Sequence, residues 1–117
     1  MEVYSTHHFI HPAPDDVKKL QLRSSSHDEM VLSWQRPDRM NGVLKKFVVR
    51  YWDDNGEERV GELSRDLANA TFYYTVSNLK QMTFYTVKVS VHTYSYVSDD
   101  PVTISVRTGQ KPTPIGN

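Results

Sequence analysis

Apolar and polar residues alternate with a period of two along most of this chain. Met30, Leu32 and Trp34 are spaced so that they would share one face of an extended strand. Because successive side chains of a β-strand point to opposite faces of a sheet, this pattern predicts strands with one buried face. The same spacing recurs in three further segments, residues 43–53, 84–94 and 101–108.

Turn-forming residues divide the chain into seven predicted strands. Asn55 and Gly56 lie between the third and the fourth strand, and we expect a tight hairpin there because this pair tolerates a positive φ at both positions. Residues 62–70 are the one place where a helical turn would fit, although they offer few apolar positions. The sequence thus predicts an all-β fold, a seven-stranded antiparallel β-sandwich. The strands are expected at about residues 17–23, 29–35, 43–53, 58–60, 71–76, 84–94 and 101–108.

Proline-containing segments near both ends of the chain are typical of linkers. Pro12 and Pro14 close the first segment, and residues 109–114, Gly-Gln-Lys-Pro-Thr-Pro, open the last one. A chain of 117 residues is long enough for one ordinary domain. We therefore expect an N-terminal linker in residues 1–13, one domain in residues 14–109 and a C-terminal linker in residues 110–117.

Two of the predicted strands carry compact motifs. Residues 32–34, Leu-Ser-Trp, lie in the second strand and are followed by Pro37. Residues 42–51, Gly-Val-Leu-Lys-Lys-Phe-Val-Val-Arg-Tyr, are similar to the pattern Gly-x-Ile-x-x-Tyr-x-Val-x-Tyr.

Two more features follow later in the chain. Leu79 and Tyr85 are six residues apart, and the last strand ends at Thr108. In this order, the four motifs resemble those of the fibronectin type III family over about residues 14–109. The resemblance implies an immunoglobulin-like sandwich in which the Tyr85 hydroxyl bonds the backbone of the preceding crossover. It also implies a core that contains Leu32, Trp34, Phe47, Val49, Tyr51, Leu79, Tyr85, Val87 and Val89.

Charge and cysteine content narrow the class of protein. Lys and Arg number 14, as do Asp and Glu, and the net charge of zero disfavours nucleic-acid binding. The absence of cysteine excludes a disulfide scaffold, a thiolate metal site and a cysteine nucleophile. No apolar run approaches the roughly 18 residues of a membrane span. We therefore expect this chain to contact a membrane only through its parent protein. We also expect a monomer in isolation.

No group of residues predicts catalysis, a metal or a cofactor. His7, His8 and His11 are spaced like metal ligands, but no carboxylate or thiolate completes the set. The acidic residues 53–58 do not fit a calcium loop, because Tyr51 would occupy its first ligand position. There is no nucleophile elbow and no glycine-rich phosphate loop. We expect no enzyme activity in this domain, and a catalytic domain such as a tyrosine phosphatase or kinase would lie elsewhere in the parent protein.

The candidate site residues are a glycosylation acceptor and three aromatic side chains. Asn69 begins an Asn-Ala-Thr sequon just before the fifth strand, where a loop would expose it. Trp52, Tyr94 and Tyr96 fall on outward or loop positions, and exposed aromatic rings are enriched at protein interfaces. The sequence therefore predicts glycosylation at Asn69 and partner binding through Tyr94, Tyr96 and Trp52.

The resemblance implies a non-catalytic extracellular module of a cell-surface receptor or adhesion protein. Such a glycoprotein module would act as a spacer and bind another cell-surface or secreted protein, besides the neighbouring domains of its own chain. A further alternative is that the module belongs to a protein that is wholly secreted. Two alternatives stay open, a cytoplasmic structural repeat of a muscle-filament-type protein and the membrane-proximal domain of a cytokine receptor. Residues 94–98, Tyr-Ser-Tyr-Val-Ser, lack both tryptophans of the Trp-Ser-x-Trp-Ser motif that marks the last class.

Overall fold

The computed structural model describes residues 12–66, 68–99 and 101–113. None of these residues forms a helix long and apolar enough to cross a membrane. The part of the chain that is described contains seven strands: β1 (Lys18–Ser25), β2 (Met30–Gln35), β3 (Leu44–Trp52), β4 (Glu58–Ser64), β5 (Thr71–Val76), β6 (Phe84–Thr93) and β7 (Val102–Arg107).

The strands form two antiparallel sheets that face each other. One sheet has the order β1-β2-β5, and the other has the order β4-β3-β6-β7. The seven-stranded sandwich predicted from the sequence is confirmed. At its centre, the rings of Trp34 and Phe47 meet nearly edge to face with centroids 5.4 Å apart, and Phe72 approaches Phe47 at 4.6 Å. Aromatic pairs of this geometry add stability beyond the area that they bury.

The expected core residues line the interior, with one exception. Leu32, Trp34, Phe47, Val49, Leu79, Tyr85, Val87 and Val89 are all buried. Tyr51 is only half-buried, and the guanidinium of Arg59 lies 5.0 Å from the centre of its ring. Tyr51 packs against the buried cluster and forms its border at this end of β3.

Strand β4 is longer than the sequence pattern indicated. Phe47 pairs with Leu63 and Lys46 with Ser64, so the ladder between β3 and β4 continues through residues 62–64. The first part of residues 62–70, the one stretch with room for a helical turn, is therefore strand. Backbone pairing with β3 decides the conformation there, since the local sequence carries no strong preference of its own.

The turn between β3 and β4 differs in detail from the expected hairpin. Gly56 has a positive φ of 81°, whereas Asn55 does not adopt a positive φ. The carbonyl of Asp53 accepts a hydrogen bond from the Gly56 N–H (2.9 Å), and the Asp53 carboxylate accepts one from the Asn55 N–H (2.9 Å). Asp53 thus closes a longer loop, of residues 53–57, in which only the glycine needs the left-handed region.

The crossover segment, residues 77–83, connects the two sheets and is held from several sides. The Lys80 N–H donates to the Tyr85 hydroxyl at 2.8 Å, which is the bond that the resemblance implied. The Thr108 hydroxyl donates to the Lys80 carbonyl (2.5 Å) and accepts from the Thr83 N–H (3.0 Å). The segment therefore has little freedom, although it is a loop.

An ion pair attaches the same segment to the β3–β4 turn. The Lys80 ammonium lies 3.0 Å from the carboxylate of Asp53, which is almost completely buried. The hydrogen bond from Lys80 holds the pKa of Asp53 below its usual value, and the same bond raises the pKa of Lys80. Both groups therefore stay charged at neutral pH.

The N-terminal end of the domain is held by strand β1 and by the segment before it. Strand β1 is irregular, with Lys19 at a positive φ of 54° and two register shifts against β2. Leu20 is its one half-buried residue, and the rest of the strand is exposed. Before it, Ala13 is buried and its carbonyl accepts a hydrogen bond from the Asn41 side chain (2.8 Å), so packing begins one residue before the expected boundary.

Replacing Tyr85 with Phe is expected to lower the free energy of unfolding by about 1–3 kcal/mol, because the Lys80 N–H loses its acceptor in a partly buried site. Urea titration would measure this loss. Tyr96→Phe removes a hydroxyl from an exposed ring and serves as the control, with no change expected. Equal stability of both variants would contradict the role given to the Tyr85 hydroxyl.

Gly61→Ala is expected to destabilise the domain by about 1–3 kcal/mol through overpacking. A Cβ at position 61 would overlap the hydroxyl and ring of Tyr74, which crosses from β5. Gly109→Ala is the matched control, since a Cβ there meets backbone atoms only at 3.8 Å or more. Thermal unfolding of the two variants would test this, and a midpoint for Gly61→Ala no lower than that of the control would show that Tyr74 does not fill this space.

Candidate functional site

Tyr94 and Tyr96 are carried on the tight turn that follows β6. Their side chains are 63% and 48% exposed. The Thr93 N–H donates to the Tyr96 carbonyl (2.9 Å), and the Thr93 hydroxyl oxygen accepts from the N–H groups of Ser95 (3.4 Å) and Tyr96 (3.0 Å). Thr93 itself is buried, so the turn is closed from its inner side while both rings face solvent.

The chain after the turn is attached to β6 as well. Val97 pairs with His92 in an isolated antiparallel bridge. The Ser98 hydroxyl oxygen accepts a hydrogen bond from the Val91 N–H (3.0 Å), and the Ser98 N–H donates to the Val91 carbonyl (2.9 Å). Tyr94 and Tyr96 therefore project from a fixed backbone, and a partner would not have to order the loop on binding.

Two cationic side chains lie near the Tyr94 ring. The Lys45 ammonium lies 5.8 Å from the ring centre and the Arg65 guanidinium lies 5.9 Å from it. Neither cation has an ion pair with a described carboxylate. Cations at this distance are attracted to the ring, yet they keep most of their hydration at so exposed a site.

His92 adds no charge to this end of the molecule. Burial, and then the ammonium of Lys46 and the guanidinium of Arg50, lower the pKa of His92. Its Nε2 atom is buried and has no hydrogen-bond partner among the residues that the structure describes. The imidazole is therefore neutral at neutral pH, and we assign it no part in binding.

Trp52 does not join the tyrosines in one surface. The start of β3 lies beside the tyrosine turn, where Leu44 pairs with Thr93, whereas Trp52 at its end pairs with Thr86. Eight residues of strand place these ends roughly 26 Å apart. Trp52 is half-buried, and the Lys88 ammonium lies 5.8 Å from its ring. Trp52 thus lies on the outer face of the four-stranded sheet, where the Lys88 side chain partly covers it.

Asn69 is exposed on the loop between β4 and β5, and hydrogen bonds fix its surroundings. Its side-chain Nδ2 donates to Asp66 Oδ2 at 2.6 Å, and Asp66 Oδ1 accepts from the Ala68 N–H at 2.9 Å. These bonds hold the pKa of Asp66 below its usual value. Arg36 donates to the backbone carbonyls of Asp66 and Asn69, both at 2.8 Å.

Sequence reasoning missed Arg36 and Thr93, which position the two candidate sites. Arg36 lies 30 and 33 residues from its two partners and stacks over Phe72 at 5.4 Å, so no local motif announces it. Thr93 was recognisable in principle, because a threonine just before a turn often bonds the backbone N–H groups that follow it.

Asn69 and the tyrosine turn lie at the same end of the sandwich. Arg65, which follows β4 directly, reaches the Tyr94 ring on one side and is separated from Asn69 by only a short loop on the other. Any group attached to Asn69 would therefore lie near the tyrosine turn.

Within the described ranges, no three His, Cys, Asp or Glu side chains come together in a way that would hold a metal ion. His7, His8 and His11 lie outside these ranges. Asp53, the buried carboxylate of the acidic turn, is already used by Lys80 and by backbone N–H groups.

The two-sheet topology, the Tyr85 bond and the buried tryptophan define a module of the immunoglobulin-like class. More specifically, the chain belongs to the fibronectin type III family, because the model of the fibronectin type III domain matches residues 13–106.

Individual proteins share this similarity. The chain is 32% identical over 81 residues to ephrin type-B receptor 2 of Gallus gallus, which covers 69% of the chain and 8% of that receptor. It is 25% identical over 89 residues to the protein sidekick homolog of Caenorhabditis elegans, covering 76% of the chain and 4% of that protein. The crystal structure of domains A168–A170 from titin superposes with a TM-score of 0.67 at 19% identity, covering 84% of this chain and 33% of that one. The chain thus spans less than a tenth of the curated relatives that it matches.

Thr93→Val is expected to loosen the tyrosine turn, because the valine keeps the shape but removes the acceptor of two N–H groups. We expect a loss of about 1–2 kcal/mol in the free energy of unfolding and faster amide exchange at Tyr96. Thr103→Val, at an exposed position of β7, is the control. If exchange at Tyr96 stays unchanged in Thr93→Val, the turn is held by other contacts.

Proposed function

We propose that this chain is a non-catalytic, extracellular module of a cell-surface receptor or adhesion protein. The observation that carries this proposal is its 32% identity, over 69% of its length, to part of ephrin type-B receptor 2. In this proposal residues 14–109 form the module, and residues 1–13 and 110–117 link it to neighbouring domains. The sandwich sets the spacing between those neighbours, and a catalytic domain, where the parent protein has one, is a separate unit.

The tyrosine turn is the proposed contact with a protein partner. Its backbone is already ordered by Thr93, so binding immobilises only side chains. Tyr94 and Tyr96 offer large rigid rings, and Lys45 and Arg65 provide charge beside them. Trp52, at the other end of β3, would take part only in a second and separate contact.

Glycosylation of Asn69 is the second element of the proposal. The acceptor lies on an exposed loop, and the hydroxyl-bearing residue of the sequon, Thr71, is the first residue of β5. A modified Asn69 requires passage through the secretory pathway. Its state in the native protein therefore reports the location of the domain.

The alternative of an intracellular filament repeat has only a likeness of fold behind it. Titin domains superpose on this chain with a TM-score of 0.67, although at this low identity the likeness concerns the fold alone. The proposal of a cytokine-receptor domain has less support, since its tryptophan motif is absent from residues 94–98.

Peptide mapping by mass spectrometry of the full-length protein, purified from its own source, tests the location. We expect a glycan on Asn69. In protein expressed in the same cells, the Thr71→Ala variant should lose it and the Thr75→Ala variant, altered at an exposed position of the same strand, should keep it. Recovery of the Asn69 peptide only in unmodified form would remove glycosylation from the proposal, and it would either favour the filament alternative or indicate that a neighbouring domain covers the site.

A further inference from the structure

An open groove lies between the edges of the two sheets, next to Asn69. β4 and β5 are edge strands of opposite sheets, and they approach each other where Gly61 faces Tyr74. Past this contact, the end of β4 and the start of β5 border a groove of about 700 Å³. Its lining includes Leu63, Arg65, Asp66, Asn69, Phe72 and Tyr73.

The groove combines apolar and polar surface. Leu63 is half-buried on the β4 side of the groove, and Tyr73, which is 55% exposed, lies on the β5 side, where Arg23 of β1 donates to its hydroxyl at 3.4 Å. Arg65 and Asp66 add charged groups, and edge strands carry backbone N–H and C=O groups that their own sheet does not use. A pyranose ring matches such a surface, because its C–H face packs on apolar side chains while its hydroxyl groups both donate and accept hydrogen bonds.

The attachment point of a sugar lies on the rim of this groove. The atom that N-glycosylation modifies is Asn69 Nδ2, which donates to Asp66 Oδ2 at 2.6 Å. A glycosylated amide retains one N–H, so this hydrogen bond can persist after modification. Arg36 fixes the Asn69 backbone through the carbonyl at 2.8 Å. The first sugar would thus start from an anchored side chain, not from one that rotates freely.

We propose that the N-linked glycan of Asn69 lies in this groove, with its core sugars packed against Tyr73 and Leu63. This inference rests on the proposed glycosylation and names where the glycan sits. In that position the glycan shields the adjoining ends of β4 and β5 from pairing with strands of other chains. A peptide strand and a second copy of this chain are the other occupants that an exposed sheet edge could take.

Amide hydrogen exchange on two forms of the same 117-residue chain tests the proposal. One form is secreted from mammalian cells, with occupancy of Asn69 verified by mass spectrometry, and the other is made in bacteria and carries no glycan. We expect exchange at Leu63–Asp66 and at Phe72 and Tyr73 to be at least about threefold slower in the glycosylated form. Exchange along β7, the edge strand on the opposite side of its sheet, should be equal in both forms.

A pair of variants separates packing in the groove from a general effect of the glycan. Tyr73→Ser removes the exposed ring at the β5 border of the groove and its contact with Arg23, whereas Phe84→Ser removes a ring of similar exposure, 56%, that Arg107 contacts in the same way from β7. The protection by the glycan should be lost in Tyr73→Ser and kept in Phe84→Ser. Comparing glycosylated with bare protein within each variant cancels any change in overall stability.

Three outcomes would overturn the proposal, and each has a distinct meaning. Unchanged exchange in fully glycosylated protein would show that the glycan projects into solvent, while glycosylation itself would stand. A bare Asn69 in the secreted chain would show that the sequon is not an acceptor. Protection of β4 and β5 that rises with concentration in the bare chain would assign the groove to a second copy.

Discussion

The hydrogen bond from the Lys80 N–H to the Tyr85 hydroxyl fixes one of the connections that join the two sheets, the crossover from β5 to β6. The crossover segment leaves β5 in one sheet and enters β6 at the centre of the other. Leu79 of this segment is buried, Asp53 of the β3–β4 turn pairs with Lys80, and Thr108, directly after β7, binds the Lys80 carbonyl. These contacts fix the position of β6. The turn that carries Tyr94 and Tyr96 follows β6 directly, so its position is fixed as well.

The elements that the sequence predicted well are those whose cause is local. Alternation of apolar residues located the strands, and the spacing of Leu79 and Tyr85 identified the corner. Contacts between distant residues were not predictable in this way. Val48 and Ser90 occupy outward positions yet are buried, because long charged side chains such as Lys46 and Glu62 lie across the outer face of the sheet.

The candidate sites show the same division. That Tyr94 and Tyr96 lie on an exposed loop was evident from the sequence, but the register that separates them from Trp52 was not. The sequon at Asn69 is a local motif, whereas its anchor, Arg36, lies 33 residues earlier in the chain, directly after the neighbouring strand β2. A pattern of residue types therefore finds candidates, and only the pairing of strands shows which candidates share a surface.

Because the first strand is attached more weakly than the last one, the strands should detach in a fixed order under mechanical load. β1 is held by an interrupted ladder and little buried surface, whereas the chain leaving β7 is bonded at Thr108, at Gly109 through the Ser26 carbonyl (2.9 Å) and at Lys111 through Gln81 (2.8 Å). Tension along the chain would therefore peel β1 away first and leave the four-stranded sheet with the tyrosine turn intact. Stretching would thus change the length of the module before it disturbs the surface proposed for binding.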